Sequence, residues 1–297
     1  MCLGVHHIDL MHMGIPGAIG AWAIHGPGGW IVIESGPATC WEVLRSELES
    51  LGATPDTIAA LLVTHIHLDH AGGAWRFAQL GIPVHVHTKG AAHLIDPSRL
   101  ERSSRRIFGD RFDTLWGALQ PCEHALVHAH EDHDIVHAGG LSFQAIDTPG
   151  HADHHHAWHL LEGDGDDLFC GDAAAMVVPG TNWITIPMPP PEFHLERWLE
   201  TLERIEHGPW TRLRLTHGGT QVAITEHIAQ LRTSMQTQVD WIADSVSQPP
   251  AERIEAYRTW LWEQAEAHGV PESLFKQHVS PGLVSMNLAG VDRWAAP

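Results

Sequence analysis

The amino-acid sequence predicts an α+β protein in which two β-sheets pack face to face with helices outside. Three observations predict it. Strand-like and helical segments come in blocks, strands then helices, twice along the chain. Ile58–Val63 is a continuous apolar run, as expected of a strand buried on both faces. Four strand-like segments end in ligand-type residues, three of them with a histidine or aspartate beside glycine, a pattern that four strand ends meeting at one cleft would produce.

Each element follows from its residues. Ile19–Ile24 and Trp30–Glu34 read as a hairpin across Gly26-Pro27-Gly28-Gly29. Thr39-Cys40-Trp41-Glu42 has capping-box spacing, and Trp41, Leu44, Leu48 and Leu51 continue at helical steps. After the strand Ile58–Val63, Thr64–His70 is polar, Ala71–Leu80 is helical, and Val84–His87 is a strand. Residues 96–120 read as a helical insert. Strands return at Ala125–Val127, Leu141–Ile146, His156–Leu161 and Leu168–Cys170. Four prolines between Pro187 and Pro191 mark an extended stretch. Leu195, Trp198, Leu199, Leu202 and Ile205 share a helix face, Leu213–Leu215 is a short strand, and Ile224 to Ile242 is a long amphipathic helix. Gln248-Pro249-Pro250 breaks that helix, and Ile254, Tyr257, Leu261 and Ala265 mark another. The expected organisation is one catalytic domain over residues 1–243 and a helical tail over 244–297.

The 297 residues allow one large domain or two small ones at roughly 100–200 residues each. With 43% hydrophobic and 18% charged residues the chain is globular, neither disordered nor a coiled coil. No apolar run approaches the roughly 18 residues of a membrane span, and Met1–Gly14 lacks the pattern of a secretory signal. A formal net charge of -19 repels phosphate backbones, so neither nucleic acid nor membrane is an expected partner. Cys2, Cys40, Cys122 and Cys170 form no C-x-x-C pair, and a cytoplasmic protein with reduced thiols is expected.

The 26 histidines are the unusual feature, because imidazole is the commonest metal ligand. Thr64-His65-Ile66-His67-Leu68-Asp69-His70 sits where the buried strand gives way to a helix. Residues two apart in an extended segment point the same way, so His65 and His67 can aim at one point. Asp69 and His70 can face a second point beside it. Three later strand ends each offer one ligand beside glycine: His151 after Gly150, Asp172 after Gly171, and His217 before Gly218. Nitrogen and carboxylate donors without thiolates suit a divalent metal, zinc by default, with iron or manganese also possible.

At these residues the chain resembles the metallo-β-lactamase-fold superfamily, over about residues 15–230. The resemblance implies an αββα sandwich with a dinuclear site at the sheets' edges. It assigns His65, His67 and His151 to one metal, Asp69, His70 and His217 to the other, and Asp172 to a bridge between them. Thr-His-x-His-x-Asp-His-x-Gly-Gly and Thr-Pro-Gly-His resemble the hydrolase branch of glyoxalase II and the lactonases. His87–Leu100 and Pro189-Pro190-Pro191 resemble a prokaryotic group within that branch. The superfamily usually has aspartate where this chain has Glu34, a position beside the ligands where tuning is expected. Glyoxalase II holds glutathione with basic residues and tyrosines, whereas this chain has Tyr257 alone and two lysines, Lys89 and Lys276. The lactonase tyrosine after the bridging aspartate is replaced by Ala173-Ala174-Ala175-Met176.

The expected reaction is hydrolysis of a small carbonyl ester, lactone or thioester by a hydroxide bridging the two metals, with Asp69 orienting it as the catalytic carboxylate. The alternative is a mononuclear iron oxidoreductase of the same fold, resembling persulfide dioxygenases, which needs no complete second site. His155 is the best of His154, His155 and His156 to pack beside the site. His93 either lines the pocket or is a structural helix residue, and Trp183 is the tryptophan expected to line an apolar pocket. Arg99, Arg102, Arg105, Arg106 and Arg111 form either a solvated, ion-paired face or a lid that neutralises an anionic substrate. The tail helices could form a homodimer contact.

Overall fold

Period-two alternation along the strands sorts the apolar residues into three layers. The computed structural model describes residues 3–163 and 166–296, so Cys2 lies outside the described residues. The first sheet holds β1 (Val5–Asp9), β2 (Gly20–Gly26), β3 (Gly29–Ile33), β4 (Ile58–Leu62), β5 (Val84–His87) and β6 (Val127–His130), in that spatial order. Its first three strands pair antiparallel and β3 to β6 pair parallel. The second sheet begins with β7 (Ile135–Ala138), β8 (Leu141–Asp147), β9 (His156–Leu160) and β10 (Asp167–Gly171). A separate ribbon of β11 (Met176–Val177) and β12 (Ile184–Thr185) follows, and then β13 (Arg212–Leu215) and β14 (Thr220–Gln221) return to the sheet. Its spatial order is β14-β13-β10-β9-β8-β7, parallel only between β10 and β13.

Ala60 and Leu62 of β4 join Trp22, Ile31, Phe143, Trp158 and Phe169 between the sheets. Leu61 and Val63 point the other way, into a layer under the outer helices of sheet one. Phe169 of β10 faces inward, whereas Leu168 and Cys170 face the helices covering sheet two. Burying side chains of this size contributes about 1.5–3 kcal/mol each. Sheet one is covered by α1 (Trp41–Ser50), α2 (Leu68–Ala71), α3 (Ala74–Gln79) and α4 (Thr88–Ile95). Next come α5 (Ser98–Phe108) and α6 (Phe112–Leu115). Sheet two is covered by α7 (Leu195–Glu206) and α8 (Ile224–Asp244). The chain ends in α9 (Pro250–Ala267), α10 (Glu272–His278) and α11 (Pro281–Trp294). Tyr257, Leu261, Phe275 and Leu288 of these last helices share one apolar cluster with Leu168 and Leu213 of the sheet. Among the described residues, no helix is long and apolar enough to cross a membrane.

Several local expectations are corrected. Thr39 caps no helix: its hydroxyl donates to the Leu115 carbonyl at 2.9 Å, and Glu42 pairs with Arg45 instead. The helix expected over Ala71–Leu80 is two short helices parted at Gly72 and Gly73. Helix begins at Thr88, before the insert expected at 96, and ends at Leu115. The strand expected at Ala125–Val127 is a single 3-10 turn over His124–Leu126, and β6 starts only at Val127.

The turn that delivers His151 to the cleft depends on glycine. Gly150 has φ +127°, and a Cβ there would overlap the backbone N and Cα of Trp198 in α7. The His194 amide also donates to the Gly150 carbonyl at 2.8 Å, which locks helix and turn together. Gly150→Ala should therefore cost at least about 2 kcal/mol, from overpacking and backbone strain together. Chemical denaturation measures this, and a loss below about 0.5 kcal/mol, typical of a surface change, contradicts the packing.

Candidate metal centre

The first group of ligand-type residues sits just past β4 and β8. The chain leaves β4 extended, so His65 and His67 point the same way, and the Gly150 turn brings His151 opposite them. His65 Nε2 and His151 Nε2 each lie 2.9 Å from His67 Nδ1. Neighbouring hydrogen bonds fix which nitrogens are bare. Thr64 Oγ1 donates to Glu34 Oε1 at 2.6 Å and so accepts from His65 Nδ1 at 3.1 Å. His151 Nδ1 donates to the Pro187 carbonyl at 2.9 Å. The Nε2 lone pairs of His65 and His151 therefore both face His67. Burial keeps all three rings neutral: His65 is pushed well below the usual imidazole value, His67 to about 3, and His151 downward despite nearby Asp172.

The second group joins α2 to the ends of β10 and β13. His70 Nδ1 donates to Glu34 Oε1 at 3.0 Å, and His217 Nδ1 donates to the Ala18 carbonyl. Their Nε2 atoms both face Asp172 Oδ1, at 3.3 Å and 3.4 Å, and Asp69 Oδ2, at 3.9 Å and 3.6 Å. Asp172 Oδ2 lies 3.3 Å from His151 Nε2 in the first group, so one carboxylate touches both. The 3.3 Å approach of His70 to Asp172 is close without the geometry of a hydrogen bond. His70 Nε2, His217 Nε2 and Asp172 Oδ1 are all buried and lack a hydrogen-bond partner. Burial opposes charge on both His70 and Asp172, yet their attraction prevails. The imidazole is pushed well above its usual value by Asp172, Glu34 and Asp69, and Asp172 is held well below by His70, His151 and His217. Positive charge is thus favoured beside Asp172, Glu34 and Asp69.

The structure brings His65, His67, Asp69, His70, His151, Asp172 and His217 to this one cleft. Asp69 is the accessible carboxylate, with 26% of its side chain exposed against 3% for Asp172. Glu34 is fully buried behind Thr64 and His70. His155 lies beside the centre: its Nδ1 donates to Thr148 Oγ1 at 2.7 Å and its Nε2 accepts from the Asp172 amide at 3.2 Å. His93 stands apart from both groups, in α4 at a crevice with Ile66, Leu68 and Trp75. Trp183, expected to line a pocket, is buried and packs against Phe275 of α10 with ring centroids 5.8 Å apart. Arg105 of the arginine cluster pairs with Glu101 and Asp113 and lies over Phe112. Sequence reasoning missed the backbone partners Pro187 and Ala18, which carry no side-chain signal. It also missed Glu192, 3.0 Å from His154 Nε2 and grouped with His67.

Comparison with known proteins shows the family and the fold. A metallo-beta-lactamase fold-containing protein of Sulfurisphaera tokodaii is 28% identical over 192 residues, 62% of this chain and 70% of that protein. A hydroxyacylglutathione hydrolase of Albidiferax ferrireducens is 31% identical over 152 residues, 51% of this chain but only 46% of that enzyme. The crystal structure of an archaeal metallo-beta-lactamase superfamily protein from Sulfolobus tokodaii superposes with a TM-score of 0.71 at 18% identity, covering 98% of this chain and 99% of that one. A metallo-beta-lactamase family protein from Thermus thermophilus gives 0.68 at 19% identity, over 97% and 91% of the two chains. The model of the metallo-beta-lactamase superfamily matches residues 14–217, the span that holds both groups of ligands and Glu34, and the chain belongs to that superfamily.

Proposed function

We propose that this protein is a metal-dependent hydrolase that cleaves a small carbonyl ester, lactone or thioester at a dinuclear centre. The observation that carries the reading is the trio of buried, unpartnered atoms on His70, His217 and Asp172 that face one another. Leaving such atoms unpaired costs about 1–3 kcal/mol each, and ligation of a cation removes that cost. His65, His67, His151 and one oxygen of Asp172 would hold one ion. Asp69, His70, His217 and the other oxygen would hold the second. Glu34, Asp69 and Asp172 bring three carboxylates to the pocket, which suits two divalent cations. Two such ions, zinc by the donor set and iron or manganese by the same chemistry, would supply a bound water of lowered pKa and a Lewis acid for the substrate carbonyl.

The chain's own groups supply the rest. Asp69 faces both the second group and solvent, so it would orient the attacking water, accept its proton and pass that proton to the leaving group. Among the described residues a cysteine nucleophile is disfavoured, because burial pushes the Cys40 thiol up to about 11 and Cys122 to about 12, and raises Cys170 further. The relatives named hydroxyacylglutathione hydrolase support a hydrolytic reading. Tyr257, the chain's one tyrosine, is buried and donates to Gln238, so it is not available to hold glutathione. A smaller acyl substrate is favoured.

Elemental analysis of protein made with added metal should give close to two ions per chain. A stable one-ion protein with full activity overturns the dinuclear centre and favours the mononuclear iron oxidoreductase. With both ions bound, Asp69→Asn should lower turnover by roughly 10²–10⁴, the range of positioned acid–base groups, and leave the fold intact. Parent-like turnover by that variant on its best ester refutes the role given to Asp69. The rate should rise with pH through roughly 6–8 as the attacking water loses its proton, then level off. A profile flat from about pH 5 to 9 contradicts it.

A further inference from the structure

The last helix reaches the metal centre through one side chain. Asn287 of α11 is 1% exposed. Its Nδ2 donates to the Ile186 carbonyl at 2.8 Å, and its Oδ1 accepts from the Met188 amide at 2.9 Å. The amide group thus brackets Pro187, which has no N–H with which to anchor itself. The Pro187 carbonyl is the acceptor for His151 Nδ1, at 2.9 Å. That bond sets the tautomer of His151 and aims its Nε2 at His67. The helix meets the same loop again at Gly290, where a Cβ would overlap the Met188 carbonyl oxygen. The loop also carries Glu192, whose carboxylate sits 3.0 Å from His154 Nε2.

We propose that Asn287 is a positioning residue for His151, acting through the Pro187 carbonyl, so that the C-terminal helix is a working part of the metal centre. The inference rests on the reading of His151 as a metal ligand. Ordinary tail packing offers the contrast. Arg253 also holds α11, pairing with Asp292 at 2.6 Å and donating to the Ile242 carbonyl, but its partners lie outside the Pro187 loop.

The test compares Asn287→Leu, Gly290→Ala and Arg253→Met with the parent, each purified, checked by circular dichroism and loaded with zinc. The readout is the chelator concentration that strips half of the bound metal. Losing an outer partner of a ligating histidine lowers metal affinity about 10–100-fold. Asn287→Leu and Gly290→Ala should each lose affinity about tenfold, at the low end because they act through Pro187. Arg253→Met should lower Tm and keep the parent's metal affinity. If Asn287→Leu does not fold, Gly290→Ala carries the comparison, since it displaces the same loop while keeping the Asn287 side chain. Parent-like affinity in the two loop variants, or an equal loss in Arg253→Met, overturns the proposal and leaves the metal centre standing. A parent that takes up no metal overturns the centre itself, and this proposal with it.

Discussion

The buried carboxylate of Glu34 is the interaction on which the site is assembled. It follows β3 and accepts from Thr64 Oγ1 at 2.6 Å, His70 Nδ1 at 3.0 Å and Thr216 Oγ1 at 3.3 Å, with the Thr64 amide at 3.3 Å on its second oxygen. Those donors come from the end of β4, from α2 and from the end of β13, so one side chain ties elements of both sheets. Burying a carboxylate is expensive unless it is hydrogen-bonded, and four donors meet this one, three of them on Oε1. Glu34 also holds a left-handed φ of 67°. Such a conformation costs a non-glycine residue about 1–3 kcal/mol and persists only where the surroundings enforce it. The superfamily pattern has the shorter aspartate here, so the longer side chain and the strained backbone occur at the same residue.

Glu34 also shows how the neighbours of a ligand decide what the ligand can do. An imidazole has two nitrogens, and the one that is engaged elsewhere leaves the other bare. His65 is engaged by Thr64, His70 by Glu34, His151 by Pro187 and His217 by Ala18, a hydroxyl, a carboxylate and two backbone carbonyls. Each partner lies on the far side of the ring from the cleft. Asp172 is fixed in the same manner, through the hydrogen bond from its amide to His155. At His65, His151 and His217 the bare nitrogen therefore faces the cleft and the proton faces outward before anything binds.

The part of this arrangement carried by local spacing is legible in the sequence. His65, His67, Asp69 and His70 fall within six residues, and their relative directions follow from strand and helix geometry. His151, Asp172 and His217 are legible because each stands beside a glycine at the end of an apolar run. Contacts set by tertiary packing are not. Thr39 matches a capping box, yet its hydroxyl is claimed by Leu115, 76 residues away. β1 is broken by His6 and His7 and shows its role only when β2 is beside it. The proline run reads as extended chain, and nothing in it announces that the Pro187 carbonyl will meet His151. Trp183 stands near Asp172 in sequence, but that nearness says nothing about α10, which covers it.

Each half of the centre draws residues from both sheets. The first takes His65 and His67 from beyond β4 and His151 from beyond β8, and the second takes Asp69 and His70 from one side and His217 from the other. The seam between two packed sheets is otherwise held by apolar contacts, which can slide. A cation coordinated across it cannot slide without losing a donor. Any ion bound there is a rivet between the halves of the sandwich, and by mass action the free ion concentration becomes a setting of the fold's resistance to opening.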